Sequence, residues 1–472
     1  MQKIRYPAAA LLAAVALAPA AADETPKAES ETAAVAAPVS YFRSVRPILQ
    51  RSCQGCHQPA RPSGKVVLTS HEDVLASGKK DDPVIVPGKP DESPLLIEVL
   101  PVDGDPPSMP KDGEALPPHE VELIRRWIAE GATDDTPASA RYVAASAERP
   151  PVYASPPVLT SLDFSPDGSL LAVSGYHEVL LHRADGSGLV DRLIGLSERI
   201  ESAVFSPDGS LLAVTGGSPG RLGEVQIWDV ASRKLKTSVA VTYDTLYGAC
   251  WSPDGKLVSF GCADNSLRAV EAATGKQVLF QGAHNDWVLD TAFSTDSSHL
   301  ISVSRDRSMK LIKVDTEQFI DNITSITPGA LKGGLMAIDR HPSKDELLAA
   351  GADGVPKIYR MHREKARQIG DDFNLVRAFE GLPGRVFDAD YSKDGARIVC
   401  GSSSDGTGEV RVYKEDDGKL LWKLALPTAI YTVAFSADGK RVAAGGFDGL
   451  VRLIDAEKGE VVREFVPVPR SF

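Results

Sequence analysis

The feature that most narrows the possible folds is a short motif that returns seven times along the C-terminal part of the chain. It reads Phe164-Ser165-Pro166-Asp167-Gly168, then Phe205-Ser206-Pro207-Asp208-Gly209 and Trp251-Ser252-Pro253-Asp254-Gly255. Looser copies follow at Phe293-Ser294-Thr295-Asp296, Arg340-His341-Pro342-Ser343, Tyr391-Ser392-Lys393-Asp394-Gly395 and Phe435-Ser436-Ala437-Asp438-Gly439. Successive copies lie 41, 46, 42, 47, 51 and 44 residues apart. In each unit a half-buried strand ends at the aromatic residue, and the Pro-Asp-Gly turn reverses the chain. A second apolar strand follows, such as Leu170 to Val173 or Leu211 to Val214, and then a turn carrying Asp264, Asp306, Asp353 or Asp448. A third strand ends as at Trp228-Asp229 or Ile454-Asp455, and a fourth, such as Val461 to Val466, forms the edge. Four strands per unit at this period predict a β-propeller of seven blades over residues 158–466.

These units resemble WD40 repeats. The buried His–Asp–Ser–Trp network of that family is matched in part in the fourth unit, where His284, Ser302 and Asp306 fit and Ile312 stands in place of Trp. The match concerns the fold and assigns no catalysis. His177, His182, His299, His341 and His362 do not cluster along the repeats, and neither a Gly-rich phosphate loop nor an HExxH motif occurs. Cys250, Cys262 and Cys400 read as buried apolar thiols. With a hairpin turn at Pro253-Asp254-Gly255, Cys250 and Cys262 are not cross-strand partners, so no disulfide is expected between them.

Upstream of the repeats the chain carries Cys53-Gln54-Gly55-Cys56-His57. C-x-x-C-H is the pattern for covalent attachment of a c-type haem. Two thiols on one short turn can each form a thioether with a haem vinyl group, and the adjoining imidazole takes an axial position on the iron. A structural zinc site needs a second pair of ligands at similar spacing, and the remaining cysteines are isolated far downstream. A thioredoxin-like pair belongs in a βαβ pattern, which is absent here.

Helical periodicity flanks the motif. Phe42, Val45, Ile48 and Leu49 recur at helical spacing, and Pro47 predicts a kink or a helix start near it. From His119 to Glu130 the apolar positions are Val121, Leu123, Ile124, Trp127 and Ile128, with Gly131 where a C-cap is expected. For the second axial position, Met109 is the first choice, because Pro107 and Pro110 stiffen its loop and a thioether is a common haem ligand. His71 and His119 are its rivals.

The ordered set Tyr41–Phe42, Val45-Arg46-Pro47-Ile48-Leu49, Cys53 to His57, Val86-Pro87-Gly88, Asp91-Glu92-Ser93-Pro94-Leu95, Met109-Pro110, Trp127-Ile128 and Gly131-Ala132 resembles the planctomycete-type cytochrome c domain. The resemblance implies a small all-α domain over residues 39–135 that holds one covalent haem c. It implies Cys53 and Cys56 as covalent anchors, with His57 and Met109 as the proximal and distal iron ligands.

The first residues read as a secretory signal. Lys3 and Arg5 precede an apolar run, Ala8 to Ala18, too short to span a bilayer, and cleavage is expected after Ala20 or Ala22. This predicts a periplasmic or otherwise exported protein without an integral membrane span, which agrees with haem attachment completed outside the cytoplasm. Residues 23–38 read as a disordered spacer, and the Pro-rich stretch 136–157 as a semi-extended linker. With 52 basic against 64 acidic residues the net charge is −12, which argues against nucleic acid as a partner.

The expected protein is therefore multidomain, an exported electron-transfer cytochrome whose propeller docks a redox partner or another protein. An iron with both axial positions filled by protein favours electron transfer and binding over enzymatic catalysis. The alternatives are a haem-dependent oxidoreductase with substrate held by the propeller, and a haem-based sensor in which Met109 gives way to a gas.

Overall fold

The computed structural model describes residues 37–58, 61–79, 82–111, 113–137, 145–325, 331–368, 370 and 372–469. The expected signal peptide and nearly all of the spacer lie outside these residues, as does the linker segment 138–144. Among the described residues no helix is long and apolar enough to cross a membrane.

The N-terminal region is helical. One wide turn, Tyr41–Val45, leads into α1 (Arg46–Ser52). Pro47 sits in the first turn of α1, where its missing N–H has no partner to lose. The proline therefore starts the helix and does not kink it. Helix α2 (His71–Ala76) begins at Ser70, whose Oγ accepts the Asp73 N–H at 3.0 Å. Helices α3 (Pro94–Ile97) and α4 (Pro118–Ala129) complete the set. The chain leaves α4 through Gly131, at φ 101°, and Ala132 then turns back to bond the Trp127 carbonyl at 2.8 Å. Val45, Leu49, Leu68, Val74, Leu96, Ile124, Trp127 and Ile128 form the buried core, at about 25 cal/mol per Å² of apolar surface removed from water. Two ladders of two strands each, His57–Gln58 with Arg61–Pro62 and Gly78–Lys79 with Asp82–Pro83, add short β-structure to this region. Its ends are clasped together: Val39 N–H donates to Glu130 Oε2 at 2.6 Å and Phe42 N–H to Asp135 Oδ1 at 2.9 Å.

Among the described residues, the region after the linker is antiparallel β-structure in six large sheets, one of seven strands and five of four. The repeat motif explains the hairpins. In six copies the serine hydroxyl donates to the aspartate two residues on, at 2.6 to 2.7 Å, as Ser165 does to Asp167 and Ser436 to Asp438. The same serine oxygen accepts the N–H five residues on, as from Leu170 at 2.9 Å. Glycine then takes the left-handed position, with Gly168 at φ 73°; in the fourth copy Ser297 holds it at φ 63°. In the fifth copy His341 replaces the serine, and its Nδ1 accepts the Ser343 N–H at 3.2 Å.

Seven repeats occupy six sheets because the first two share a strand. Leu189–Phe205, 17 residues long, pairs through its first half with Tyr176–Arg183 and through its second with Leu211–Ser218. No proline and no Asp-Gly pair interrupts that stretch, so the chain stays extended from one repeat into the next. The first and last repeats meet: Leu162 N–H donates to Thr432 Oγ1 at 2.9 Å, and Leu159 N–H to the Gly446 carbonyl at 2.9 Å.

Candidate functional site

The C-x-x-C-H segment forms a tight turn at the end of α1. Cys53 N–H and Gln54 N–H both bond the Leu49 carbonyl at 2.9 Å, and His57 N–H bonds the Cys53 carbonyl at 3.1 Å. Gln54 Nε2 donates to the Leu68 carbonyl at 2.7 Å, and Leu68 N–H bonds the His57 carbonyl at 2.9 Å, which ties the turn to the segment before α2. Cys53 is half-buried against the helical core while Cys56 is exposed, and both thiols are free. Burial pushes the Cys53 thiol up to about 11, with Arg51 pulling it back. His57 is half-buried, and its Nδ1 is enclosed without a hydrogen-bond partner among the described residues.

Met109 packs, half-buried, on the same core as Cys53. Its N–H bonds the Glu98 carbonyl at 2.9 Å, which fixes the loop to the end of α3. The rival histidines lie elsewhere. His71 Nε2 bonds the Ala132 carbonyl at 2.7 Å, and its ring meets Tyr41 edge-on at 5.0 Å, where Tyr41 stacks on Trp127 at 5.3 Å. His71 is thus a structural member of the α2–α4 packing. His119 is exposed in the first turn of α4. Two thiols, an imidazole and a thioether constitute a donor set for a covalently held haem. Among the described residues no group of three or more His, Cys, Asp or Glu side chains is arranged to hold a bare metal ion.

In the β-region His284, Ser302 and Asp306 come together as expected. His284 Nδ1 lies 2.9 Å from Asp306 Oδ2, and its Nε2 lies 2.8 Å from Ser302 Oγ. Burial pushes the Asp306 carboxyl up, but hydrogen bonds from His284, Ser308 and the Asn285 N–H outweigh it and hold the carboxyl well below the usual range. Ile312, where a Trp was expected, is fully buried in apolar packing. Cys262 and Cys400 are fully buried and Cys250 partly so; Cys250 lies opposite Ser259 and Cys262 opposite Leu246, and none is disulfide-bonded.

Three arrangements escaped the sequence reading. His299 and His362, 63 positions apart in sequence, meet edge-on at 5.1 Å. In several repeats the turn aspartate pairs with a cation four residues on, as Asp264 does with Arg268 at 2.5 Å and Asp448 with Arg452 at 2.6 Å. Third, a cavity of about 910 Å³ opens at the centre of the ring of sheets, and residues of all seven repeats line it. Asp163, Asp290, Asp339, Asp388 and Asp390 are among them. Each carboxylate accepts a backbone N–H from the next repeat: Phe205 at 2.7 Å, Ile338 at 2.9 Å, Tyr391 at 2.8 Å, Val433 at 2.9 Å and Phe435 at 2.7 Å, respectively. The available signal was an Asp immediately before the motif's first residue in the first, fifth and sixth copies.

Comparison with known proteins finds a family match in each of the two regions. Residues 53–113 match the planctomycete cytochrome C family, and residues 275–313 and 418–455 match the WD domain, G-beta repeat. The chain thus carries a planctomycete cytochrome c domain and WD40 repeats together. It is similar to mouse Coronin-7, 30% identical over 206 residues that cover 41% of this chain and 22% of the relative. Eukaryotic translation initiation factor 3 subunit I of Candida glabrata is 24% identical over 226 residues, covering 46% and 51%. Rat apoptotic protease-activating factor 1 is 40% identical over 231 residues, covering 46% and 16%. The chain therefore spans about half or less of the length of these relatives.

Proposed function

We propose that this chain is an exported c-type cytochrome that transfers electrons through one covalently bound haem c, with a seven-bladed WD40 propeller as its protein-docking platform. The observation that carries the reading is the turn at the end of α1. It presents two free thiols and an imidazole whose Nδ1 has no hydrogen-bond partner among the described residues, on the same apolar core that seats the Met109 loop. Cys53 and Cys56 would hold the haem through thioethers, and His57 and Met109 would ligate its iron. When bound, the group supplies one-electron redox chemistry. The protein's own part would be to seat the group against the apolar core on which Cys53 and Met109 pack, and to keep His57 and Met109 on short segments fastened by backbone hydrogen bonds.

The domain limits of this reading are 39–135 for the cytochrome and 158–466 for the propeller, behind a signal peptide over residues 1–22. Seven blades are supported by the double pairing of Leu189–Phe205, which serves as the edge of one four-stranded unit and the inner strand of the next. Lining of the central cavity by all seven repeats supports the same count.

The test is a denaturing gel of protein exported from a host that matures c-type cytochromes. The band should retain peroxidase-active haem stain, and the double variant Cys53→Ala/Cys56→Ala should lose it. Stain that survives the double change overturns the assignment.

A further inference from the structure

We infer that the cytochrome domain is docked on the propeller and does not swing on a loose tether, and that the surface it docks on is the rim of the central cavity at Gly220. The first fastening lies one residue past the haem motif. Gln58 is 1% exposed, and its Nε2 donates to the Gly220 carbonyl at 3.1 Å, across 162 positions of sequence. Gly220, at φ 68°, lies in the hairpin turn between Leu211–Ser218 and Leu222–Asp229. Its own N–H donates to Asp244 Oδ1 at 3.2 Å, and the same oxygen accepts the Thr245 N–H at 2.8 Å. Pro219 and Asp244 line the cavity, so the turn that presents Cys56 and His57 abuts the cavity mouth.

The second fastening is in the linker, whose described C-terminal part is bound to the first repeat. Tyr153 is 5% exposed and belongs to the apolar cluster where the first and last repeats meet. Its hydroxyl donates to Glu178 Oε1 at 2.6 Å and accepts the Tyr176 N–H at 3.0 Å. Arg192 grips the same carboxylate with two bonds of 2.6 and 2.7 Å, and gives a third, at 2.7 Å, to the Pro151 carbonyl. Glu178 is fully buried, and removing one member of such a group leaves a charge without compensation. A free tether has no use for a buried tyrosine locked to an ion pair. Inter-domain mobility is the default when no such contacts exist; here Gln58 holds the helical domain to the Gly220 turn, and Tyr153 holds the described part of the linker to the first repeat.

This inference deepens the electron-transfer reading and rests on it only for its consequence. A partner that reaches the haem does so at a composite surface made by the Cys53–His57 turn and the Pro219–Gly220 rim. The docking itself is tested without reference to haem. The full exported chain is measured by small-angle X-ray scattering and by hydrogen exchange at the Gly220 turn, beside Gln58→Ala, Tyr153→Phe and the double variant. The wild type should scatter as one compact particle with a protected Gly220 turn. Gln58→Ala should raise exchange at that turn at least severalfold, and the double variant should increase the radius of gyration while the propeller stays folded, with its melting midpoint lowered by the hydrogen bond lost at Glu178. A wild type that scatters as two separated bodies overturns the inference, and so does a double variant with unchanged scattering and exchange. Haem stain on the same samples keeps the two readings apart. Stain in a protein with separated domains sinks the docking alone, and a compact protein without stain sinks the haem assignment alone.

Discussion

The carboxylate of Asp390 accepts the backbone N–H of Phe435, one repeat downstream, at 2.7 Å. Asp339 does the same to Tyr391 at 2.8 Å, and the two aspartates lie close enough to share a hydrogen bond. With Asp163, Asp290 and Asp388 they join adjacent inner strands by carboxylates enclosed in the ring. The same groups that line the cavity therefore hold neighbouring repeats together.

Burial is the largest influence on each of these carboxyls and raises all of them, Asp163 to about 7 and Asp388 to about 6. Asp290, Asp339 and Asp390 are raised as well. A carboxyl with a raised folded-state pKa holds its proton in the fold at a pH where the unfolded chain has lost it. Folding is then favoured at low pH and weakened as pH rises from about 4 toward 7. The melting midpoint of the β-region should fall over that window by several degrees, since one pH unit of displacement corresponds to about 1.4 kcal/mol. Asp163→Asn keeps an acceptor for Phe205 and should flatten the upper part of the decline. A midpoint that rises steadily from pH 4 to 7 in both proteins would contradict this.

Replacing Asp306 by Ala should destabilise the fourth repeat by about 1–3 kcal/mol. His284 Nδ1 and the Asn285 N–H then lose their shared acceptor in a site where His284 is 6% exposed. Denaturant unfolding reads the change, and haem content should not move. An unchanged midpoint would mean that water replaces the carboxylate without loss.

Met109→Ala should remove the weak far-red absorption band of sulfur ligation, admit carbon monoxide to the reduced protein, and lower the reduction potential. His119→Ala should leave the spectrum and the stability alone, because the side chain is exposed. His71→Ala should leave the spectrum alone but lower the melting midpoint of the helical domain, since it removes the bond to the Ala132 carbonyl and the contact with Tyr41. Loss of the band in His71→Ala, or its survival in Met109→Ala, would transfer the distal position away from Met109.

Ending the chain at residue 428 deletes Thr432 and Gly446, the partners of Leu162 and Leu159. Both faces of the gap are then exposed. The product should be insoluble or rapidly cut by protease within residues 158–428, while a fragment holding residues 39–135 survives digestion. A soluble, protease-resistant truncation would place the closing contacts elsewhere.

Local chemistry made much of this molecule legible in one dimension. Ser-x-Asp turns with a left-handed residue recur because each hairpin needs the same hydroxyl, carboxylate and φ, so their period could be counted along the chain. The thiols, imidazole and thioether of the N-terminal region stood out for the same reason, as unusual donors at short spacing. Pro47, in contrast, announced a helix boundary without saying whether it was a kink or a start, because the preceding wide turn depends on packing against α4. The sharing of one strand by two repeats was hidden too, since nothing at Gly195 distinguishes an extended crossing from a turn.

What the sequence determined by itself is the repeat, its turns and the partial His284–Ser302–Asp306 network, and it singled out Cys53, Cys56, His57 and Met109 as the donors to test. Each depends on residues near one another in the chain or on a pattern that repeats. Only the tertiary structure decided that His71 packs while Met109 rests on the shared core, that five aspartates bind neighbouring repeats around one cavity, that Gln58 bonds the Gly220 turn, and that Tyr153 locks the linker to the first repeat. These relationships join positions 25 to 162 residues apart, and their energies come from burial. A carboxylate or an amide becomes a fastener when the surrounding fold removes water from it, and no property of the isolated residue reports that.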